Sequence, residues 1–367
     1  MKSASTALRQ LLSSVFAAAA ALAVGIVCIG LSGFPAKASL RTMLVGAAGS
    51  SQAWAATLNE VVPLVLVALA WIVAIRAGRI NIGFQGQMLG GAMCATVVGI
   101  YLPTGGSHVG LVAAVIASSL GGAVLSGLAA ALAHWRGVPE IISTLLMSFM
   151  MVQVVAWAIR GPLNEPHQSL PQTSPVRSGA RWPTLISETP LHYDILLSIG
   201  LACVVAWALR STTFGWRARM SGDNPEAAQH VGINTSTVGI VAMLLSGGLA
   251  GIAGGSLVLS SLLGNLVDGV DGGFGLEGIA VALLAGNSAI ACIPAAILLA
   301  GVDQGGALTE ANLAVPSALV GIVQGLVIVA VAAAANLRTG VIRRTWLTIR
   351  DALPNRATVR SAREVTQ

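Results

Sequence analysis

A polar segment between two long apolar runs carries side chains that can form hydrogen bonds at membrane depth. It extends from Arg76 to Gln87 and joins the two runs with almost no hydrophilic loop. Polar amides are tolerated inside a membrane where they face other protein segments or a wet cavity. The segment therefore favours two interpretations equally, a tight interfacial turn or a broken helix that lines a translocation path. The residues that would line such a path are Asn81, Gly83, Gln85 and Gln87.

A second polar segment, residues 212–233, has the pattern of a short capped helix. Asn224 is a good N-cap, Pro225 suits the first helical position and Glu226 favours the positive helix end. Gly232 can end the helix in a left-handed conformation. A helix of about two turns is marginal by itself, so the pattern indicates either an ordinary connecting loop or a docking surface for a cytoplasmic partner. The docking surface would comprise Arg217, Gly222, Asp223, Asn224, Pro225, Glu226, Ala227, Ala228 and Gly232.

The sequence offers no catalytic residues, no metal site and no cofactor site. A nucleotide-binding P-loop needs a lysine after a glycine, but Lys2 and Lys37 follow methionine and alanine. The five histidines stand at the ends of apolar runs or in loops, and the four cysteines stand inside apolar runs without metal-ligand spacing. We therefore expect a protein that is not an enzyme, with any ATP-driven work done by a partner.

The composition predicts a membrane protein. Hydrophobic residues make up 55% of the chain and charged residues 9%, against roughly 25% charged residues in soluble domains. The net charge of +6 could suggest nucleic acid, but the basic residues stand at the ends of apolar runs and in the C-terminal tail. We therefore predict contact with membrane lipid and no nucleic-acid binding.

The apolar runs predict an all-α, polytopic membrane helix bundle of about ten transmembrane helices. The eighth and ninth runs are short, so they are either half-spans or a re-entrant hairpin. The first run is longer than the core of a cleaved signal peptide, which predicts a retained helix. The runs fall near 13–34, 58–76, 84–102, 109–133, 140–159, 192–210, 237–262, 274–288, 289–303 and 316–336.

The distribution of basic residues predicts the orientation of the chain. With both termini in the cytoplasm, fifteen lysines and arginines lie inside and five lie outside, which is a clear positive-inside bias. Residues 1–337 are then a transmembrane domain, and residues 338–367 are a cytoplasmic arginine-rich tail. The proline-rich stretch 161–191 lies outside and cannot form a continuous helix.

Three glycines in the seventh apolar run are spaced for helix packing. Gly247, Gly251 and Gly255 stand four residues apart, which places them on one helix face. Helices in lipid associate through close backbone approach at such small residues. We expect this helix to pack tightly inside the bundle.

Four stretches of the chain resemble one transporter family. Their residues are 76–87, the pair Arg160–Leu163 and Pro171–Thr173, the loop 212–233, and Gly275–Leu284. Together they are similar to the permease subunits of bacterial ATP-binding-cassette importers, in the branched-chain-amino-acid/ribose-type family and its nucleoside or simple-sugar branch. The resemblance spans roughly residues 55 to 335.

The resemblance implies a pore-forming subunit of the bacterial cytoplasmic (inner) membrane. Its partners would be cassette ATPase subunits, a second permease in a heterodimer, and an extracytoplasmic solute-binding protein. The helix around Pro225 to Val231 would then couple to the ATPase, and Asn81 to Gln87 would lie near the translocation path. The solute would be a nucleoside first, then a simple sugar, and a branched-chain amino acid third.

An ion-coupled secondary transporter is the alternative function. That class usually needs acidic side chains within the membrane to couple protons or cations. Glu60, Glu140, Glu277 and Asp303 are predicted at or near the ends of the spans. The sequence therefore favours the ATP-driven importer.

Overall fold

The structure is a computed structural model that describes residues 19–102, 108–166, 170–186, 189–261 and 264–339. Its described part is a bundle of α-helices, with a short 3₁₀ turn at Ser178–Ala180. The helices are α1 (Ala19–Leu31), α2 (Ala36–Ala48), α3 (Ser51–Arg76), α4 (Phe84–Tyr101), α5 (Val109–Arg136), α6 (Glu140–Arg160), α7 (Asp194–Ser211), α8 (Thr213–Asp223), α9 (Pro225–His230), α10 (Thr235–Leu259), α11 (Phe274–Leu284), α12 (Cys292–Leu313) and α13 (Ser317–Thr339).

Six helices of the described part are long and apolar enough to cross a membrane, namely α3, α5, α6, α7, α10 and α12. In the apolar 18-residue stretches of α3 and α10, 72% of the residues are buried, whereas 33% are buried in those of α5, α6 and α7. Helices that are apolar all round are stable when protein or lipid surrounds them. α3 and α10 therefore lie at the centre of this set of helices, and the exposed apolar faces of α5, α6 and α7 are suited to contact with lipid.

The predicted glycine face of α10 packs closely against α5. A Cβ atom at Gly247 or Gly251 would overlap the backbone of α5 near Gly122, and one at Gly255 would lie 2.6 Å from Cβ of Ser118. This close approach confirms the packing role predicted from the spacing of the three glycines. It also holds α4 and α5 against one side of α10.

The chain divides into two compact units, residues 1–39 with 315–367, and residues 40–314. In the first unit, Gly25 of α1 faces Val323 of α13, since a Cβ on that glycine would lie 2.8 Å from Cγ2 of the valine. The predicted arginine-rich tail, 338–367, falls outside the described residues except for the end of α13. The second unit contains both polar segments singled out in the sequence.

The two ends of the second unit differ in their connections. At one end the chain turns between α3 and α4, passes through α8 and α9, and turns again between α11 and α12, where Trp71 donates a hydrogen bond of 3.2 Å to Asn287. At the other end the proline-rich stretch lies against residues 264–267, with Thr173 N donating to the Leu266 carbonyl at 3.1 Å. In the described part of this stretch the 3₁₀ turn is the single helical segment, and no continuous helix forms, as its prolines predict.

The short eighth run forms α11, which has 11 residues. At 1.5 Å per residue it is about 16 Å long, roughly half of a bilayer core. α12 has 22 residues and extends to Leu313, well beyond the predicted end at 303. The pair therefore consists of one half-length helix followed by one full-length helix.

The predicted position of two acids at span ends is wrong. α3 begins at Ser51, so Glu60 stands well inside it, and Asp303 stands near the middle of α12. Both helices continue past the predicted apolar runs, which leaves the two acids away from the helix ends. Glu60 accepts a hydrogen bond of 2.5 Å from Gln304 Nε2, which pairs it with α12.

Candidate translocation and docking site

The break between α3 and α4 is closed by a reciprocal pair of amides. Asn81 Nδ2 donates to Gln87 Oε1 at 3.0 Å, and Gln87 Nε2 donates back to Asn81 Oδ1 at 2.9 Å. Asn81 is 0% exposed and Gln87 is 2% exposed. Buried amides need such partners, because an unsatisfied polar group costs about 1–3 kcal/mol. We call Asn81 and Gln87 the amide pair.

The amide pair also fixes the neighbouring backbone and helices. Asn81 Nδ2 reaches Ser246 Oγ of α10 at 3.0 Å, and Asn81 Oδ1 accepts from the Gly83 N–H at 3.0 Å. In the first turn of α4, the Gly86 N–H donates to Ser148 Oγ of α6 at 3.1 Å. These bonds satisfy backbone groups that the broken helix leaves open. The break is therefore a fixed junction of α4 with α6 and α10.

The four residues predicted to line a path differ in exposure. Asn81, Gly83 and Gln87 are buried, and a Cβ at Gly83 would lie 2.7 Å from the Thr144 carbonyl oxygen. Gln85 is partly exposed. It lies beside the start of the half-length α11, since a Cβ at Gly275 would be 2.9 Å from Gln85 N. The structure thus places Gln85 of α4 beside the N-terminal end of the half-length helix α11.

The second polar segment folds as its capping residues predict. Asn224 Oδ1 accepts from the Ala227 N–H at 3.0 Å, and Pro225 occupies the first turn of α9. Gly232 has φ +81°, and the Ile233 N–H donates to the Ala228 carbonyl at 3.0 Å. The short helix is also preceded by α8, which the sequence did not predict. We call Thr212–Ile233 the docking segment.

The docking segment has a buried side and an exposed side. Ala228 is buried and Gly222 is half-buried, so both face the bundle. Trp216 is 49% exposed and Val231 is 62% exposed, although both are large and apolar. The remaining predicted docking residues are exposed, namely Arg217, Asp223, Asn224, Pro225, Glu226, Ala227 and Gly232. The segment presents a mixed polar and apolar surface between the end of α7 and the start of α10.

The structure brings the two polar segments into backbone contact, which their separation in sequence did not predict. Gly78, with φ +72°, packs on Gly222 of α8, and a Cβ on Gly78 would lie 3.1 Å from Gly222 Cα. A Cβ on Gly222 would lie 2.6 Å from the Arg76 carbonyl oxygen. Only glycine permits this approach together with a left-handed conformation at Gly78. The docking segment therefore rests directly on the break after α3.

An ion pair stands beside this contact. Arg79 Nη1 lies 2.5 Å from Glu140 Oε1 at the start of α6, and the two side chains are 28% and 13% exposed. These residues could not be paired from the sequence, because neither has a spacing motif and 61 positions separate them. Both residues lie at ends of apolar runs that the predicted topology places on the same side of the membrane, which is the sequence signal that they share an end of the bundle.

A comparison of the sequence with known protein families identifies one that matches most of the chain. Residues 53–332 match the family described as branched-chain amino acid transport system / permease component. The chain belongs to this permease family. The match includes the break, the docking segment and α11.

Several curated relatives of this permease resemble it along most of their length. The guanosine ABC transporter permease protein NupP of Bacillus subtilis (strain 168) is 31% identical, over 90% of this chain and 95% of its own. The glucose ABC transporter permease protein TsgB13 of Haloferax volcanii is 31% identical, over 84% and 83%. The nucleoside ABC transporter permease protein NupB of Lactococcus lactis is 27% identical, over 78% and 80%. No solved structure matches the chain.

The family defines what kind of protein this permease is. It is a multi-pass membrane subunit of an ATP-binding-cassette importer, and it is a transporter component and not an enzyme. Permeases of this kind work with ATPase subunits and a solute-binding protein. The prediction from the four sequence stretches is therefore confirmed at the level of family and function.

Proposed function

We propose that the docking segment seats the ATPase subunit and converts ATP hydrolysis there into movement of the permease. The observation that carries this proposal is the exposed helix α9, which is capped by Asn224 and directly follows α8, whose Gly222 packs on the break after α3. A helix of 6 residues is too short to be stable alone, and a partner packed on Trp216 and Val231 would cover exposed apolar surface.

We further propose that Asn81, Gly83, Gln85 and Gln87 form the wall of the translocation path at the break. Gln85 would face the solute, since it is partly exposed beside α11. The amide pair and Gly83 are buried and would stabilise the conformation of this wall. Discontinuous helices at binding sites are common in membrane transporters, which supports a path along α4 and α11.

The topology that we propose has about ten spans with both termini in the cytoplasm of a bacterial inner membrane. Residues 1–337 would form the transmembrane domain and 338–367 a cytoplasmic tail. Support comes from the bundle ends, since Arg76, Arg79 and Arg136 lie at the end that carries the docking segment. We also propose a heterodimer with a second, related permease, as the resemblance implies.

The solute that we propose first is a nucleoside, followed by a simple sugar and then a branched-chain amino acid. Two of the relatives above are named for guanosine or nucleosides and one for glucose. Partly exposed amides such as Gln85 donate and accept hydrogen bonds, which suits a neutral, hydroxyl-bearing solute.

Uptake in a strain that lacks this gene tests the proposed function. ATP-dependent accumulation of tritiated guanosine should be restored by the intact gene, and uptake that persists without ATP would contradict the proposal. Uptake of labelled glucose but not of guanosine would move the solute to the second choice.

Two further measurements test the location of the docking segment. A cysteine introduced by Gln229→Cys should react with a membrane-impermeant reagent only from the cytoplasmic side, and labelling from outside would overturn the docking role. The purified chain alone should hydrolyse ATP no faster than the buffer background.

A further inference from the structure

Arg79 and Glu140 form a largely buried ion pair that the proposed function does not use. Their charged atoms are 2.5 Å apart, and the side chains are 28% and 13% exposed. Arg79 stands in the break after α3, whereas Glu140 is the first residue of α6. A buried pair is screened less than a surface pair, and removing one partner leaves an uncompensated charge. The pair therefore ties the break to the start of α6.

Arg79 also reaches the first turn of α10. Its Nη2 approaches the Thr235 carbonyl oxygen at 3.5 Å, and its guanidinium covers Gly239, where a Cβ would overlap it. A planar guanidinium with five donors can face two acceptors at once, which a lysine ammonium does less well. One side chain thus bridges the starts of α6 and α10.

The residue before Arg79 touches the docking segment. Gly78 packs on Gly222 of α8 through backbone atoms, so a displacement of α8 pushes directly on the break. Adjacent residues therefore make the two contacts, with Gly78 facing the docking segment and Arg79 facing α6. A cavity of about 180 Å³ beside the ion pair, lined by His134 and Ser236 among others, leaves room for the guanidinium to shift.

We propose that Arg79 is a positioning residue that carries the displacement of the docking segment to α6 through its ion pair with Glu140. This inference rests on the proposed function, in which the docking segment moves with the ATPase. The residues of the pair need not contact the solute or ATP. Without the pair, ATP hydrolysis continues but moves α6 less effectively.

The variant that tests the inference is Glu140→Gln, which keeps the shape of the side chain and removes its charge. The complete transporter, with ATPase subunits and binding protein, is reconstituted in vesicles with tritiated guanosine as the probe. We expect guanosine uptake per ATP hydrolysed to fall by about tenfold, within the usual range of coupling between sites. Assembly and basal ATP hydrolysis should stay close to those of the parent. Glu140→Asp retains the carboxylate and should recover part of the uptake.

A double-variant cycle tests whether Arg79 and Glu140 act as a pair. If they do, Arg79→Gln combined with Glu140→Gln should lower guanosine uptake per ATP hydrolysed no further than either change alone. The control is Asp268→Asn, which breaks the ion pair of 2.6 Å between Arg160 and Asp268 near the other end of the bundle. That pair is 54% and 48% exposed, so its loss should leave uptake per ATP within about twofold of the parent.

A measurement without solute separates this inference from the proposed function. Spin labels at Gln229→Cys and Ile142→Cys, on a background without the native cysteines, report the distance between the docking segment and α6. The distance should stay constant on ATP binding in the parent and should change in Glu140→Gln.

Three outcomes would overturn the inference. An unchanged uptake per ATP in Glu140→Gln would overturn it alone, and so would an equal loss of assembly, hydrolysis and uptake, which indicates a purely structural role. Failure of the parent chain to bind an ATPase subunit would overturn the proposed function and this inference together.

Discussion

The break after α3 and the docking segment are both rich in glycine and polar residues, yet they lie in opposite environments. In the break, Asn81 and Gln87 are buried and pair with each other. In the docking segment, Asn224 and Glu226 are exposed, and the Asn224 side chain caps only its own helix. The same residue types thus serve internal packing in one place and form an exposed surface in the other.

The difference in burial between the two regions predicts which property a substitution in each should change. A polar residue that is satisfied inside the bundle contributes to stability, and its loss should lower the amount of folded protein. A polar residue on an exposed surface contributes little to stability, so its loss should affect a partner. The contact between Gly78 and Gly222 joins the two regions, and a change there should affect both properties.

The largest effect on uptake is expected from Glu226→Lys. Reversing the charge of Glu226 would remove its electrostatic complementarity to the proposed ATPase partner, and tenfold lower uptake corresponds to about 1.4 kcal/mol. The amount of protein in the membrane should not change, since Glu226 is exposed. Uptake and immunoblotting measure the two quantities. The control Glu310→Lys changes an exposed acid at the end of α12, and equal losses in both variants would contradict the docking role.

A smaller effect on uptake and a clear loss of stability are expected from Gly222→Ala. The added Cβ would lie 2.6 Å from the Arg76 carbonyl oxygen, so α8 must move away from the break. We expect uptake to fall by about fivefold, at the lower end of coupling effects between sites, together with a lower melting temperature. Gly200→Ala on α7 is the matched control, because no heavy atom lies within 4 Å of its Cβ. A stable and fully active Gly222→Ala protein would show that the contact has no role.

Asn81→Ala should reduce stability through the amide pair. The change leaves the Gln87 amide and the Gly83 N–H without their partner, at about 1–3 kcal/mol for each unsatisfied group. Thermal unfolding in detergent should therefore show a lower midpoint, with uptake reduced in proportion to the folded protein. Gln85→Ala in the same segment removes a partly exposed amide and should unfold like the parent. If Gln85→Ala were the less stable of the two, the difference in burial would not explain their roles.

The smallest effect is expected from Asn224→Ala, which removes the cap of α9. Loss of an N-cap costs about 0.5–2 kcal/mol, and here it acts only on a helix of 6 residues. Amide hydrogen exchange should accelerate in α9 and nowhere else. Asn234→Ala removes an equivalent cap, with the Thr237 N–H at 3.0 Å, but α10 is held by packing and should exchange as before. Faster exchange throughout the bundle of Asn224→Ala would contradict a local role for this cap.

Much of the helical pattern was predictable because lipid imposes a simple rule on the chain. A long apolar run must become a helix to satisfy its own backbone, and α4, α5, α6, α7 and α10 all follow predicted runs closely. The cap at Asn224 and the left-handed Gly232 depend on neighbouring residues alone, so they too were predicted correctly. α2 and α8 were missed because polar residues interrupt them.

The contacts between distant segments were not predictable from the apolar runs or from the capping residues. Asn81 and Gln87 were identified as polar residues in a break, but their mutual pairing and the bond to Ser246 depend on how α10 packs. Arg79 and Glu140 had no distinguishing signal, and Glu60 was predicted at a span end although it bonds Gln304 inside the bundle.

The amino-acid sequence by itself determined that this chain is a helical membrane protein, which segments are polar, and to which permease family it belongs. Periodic apolar runs, caps and breaks are local properties, and each is readable from adjacent residues. Only the tertiary structure decided that Gly78 meets Gly222 and that Arg79 meets Glu140. The physical reason is that such contacts depend on the close approach of helices at glycine, which relates residues far apart in the chain.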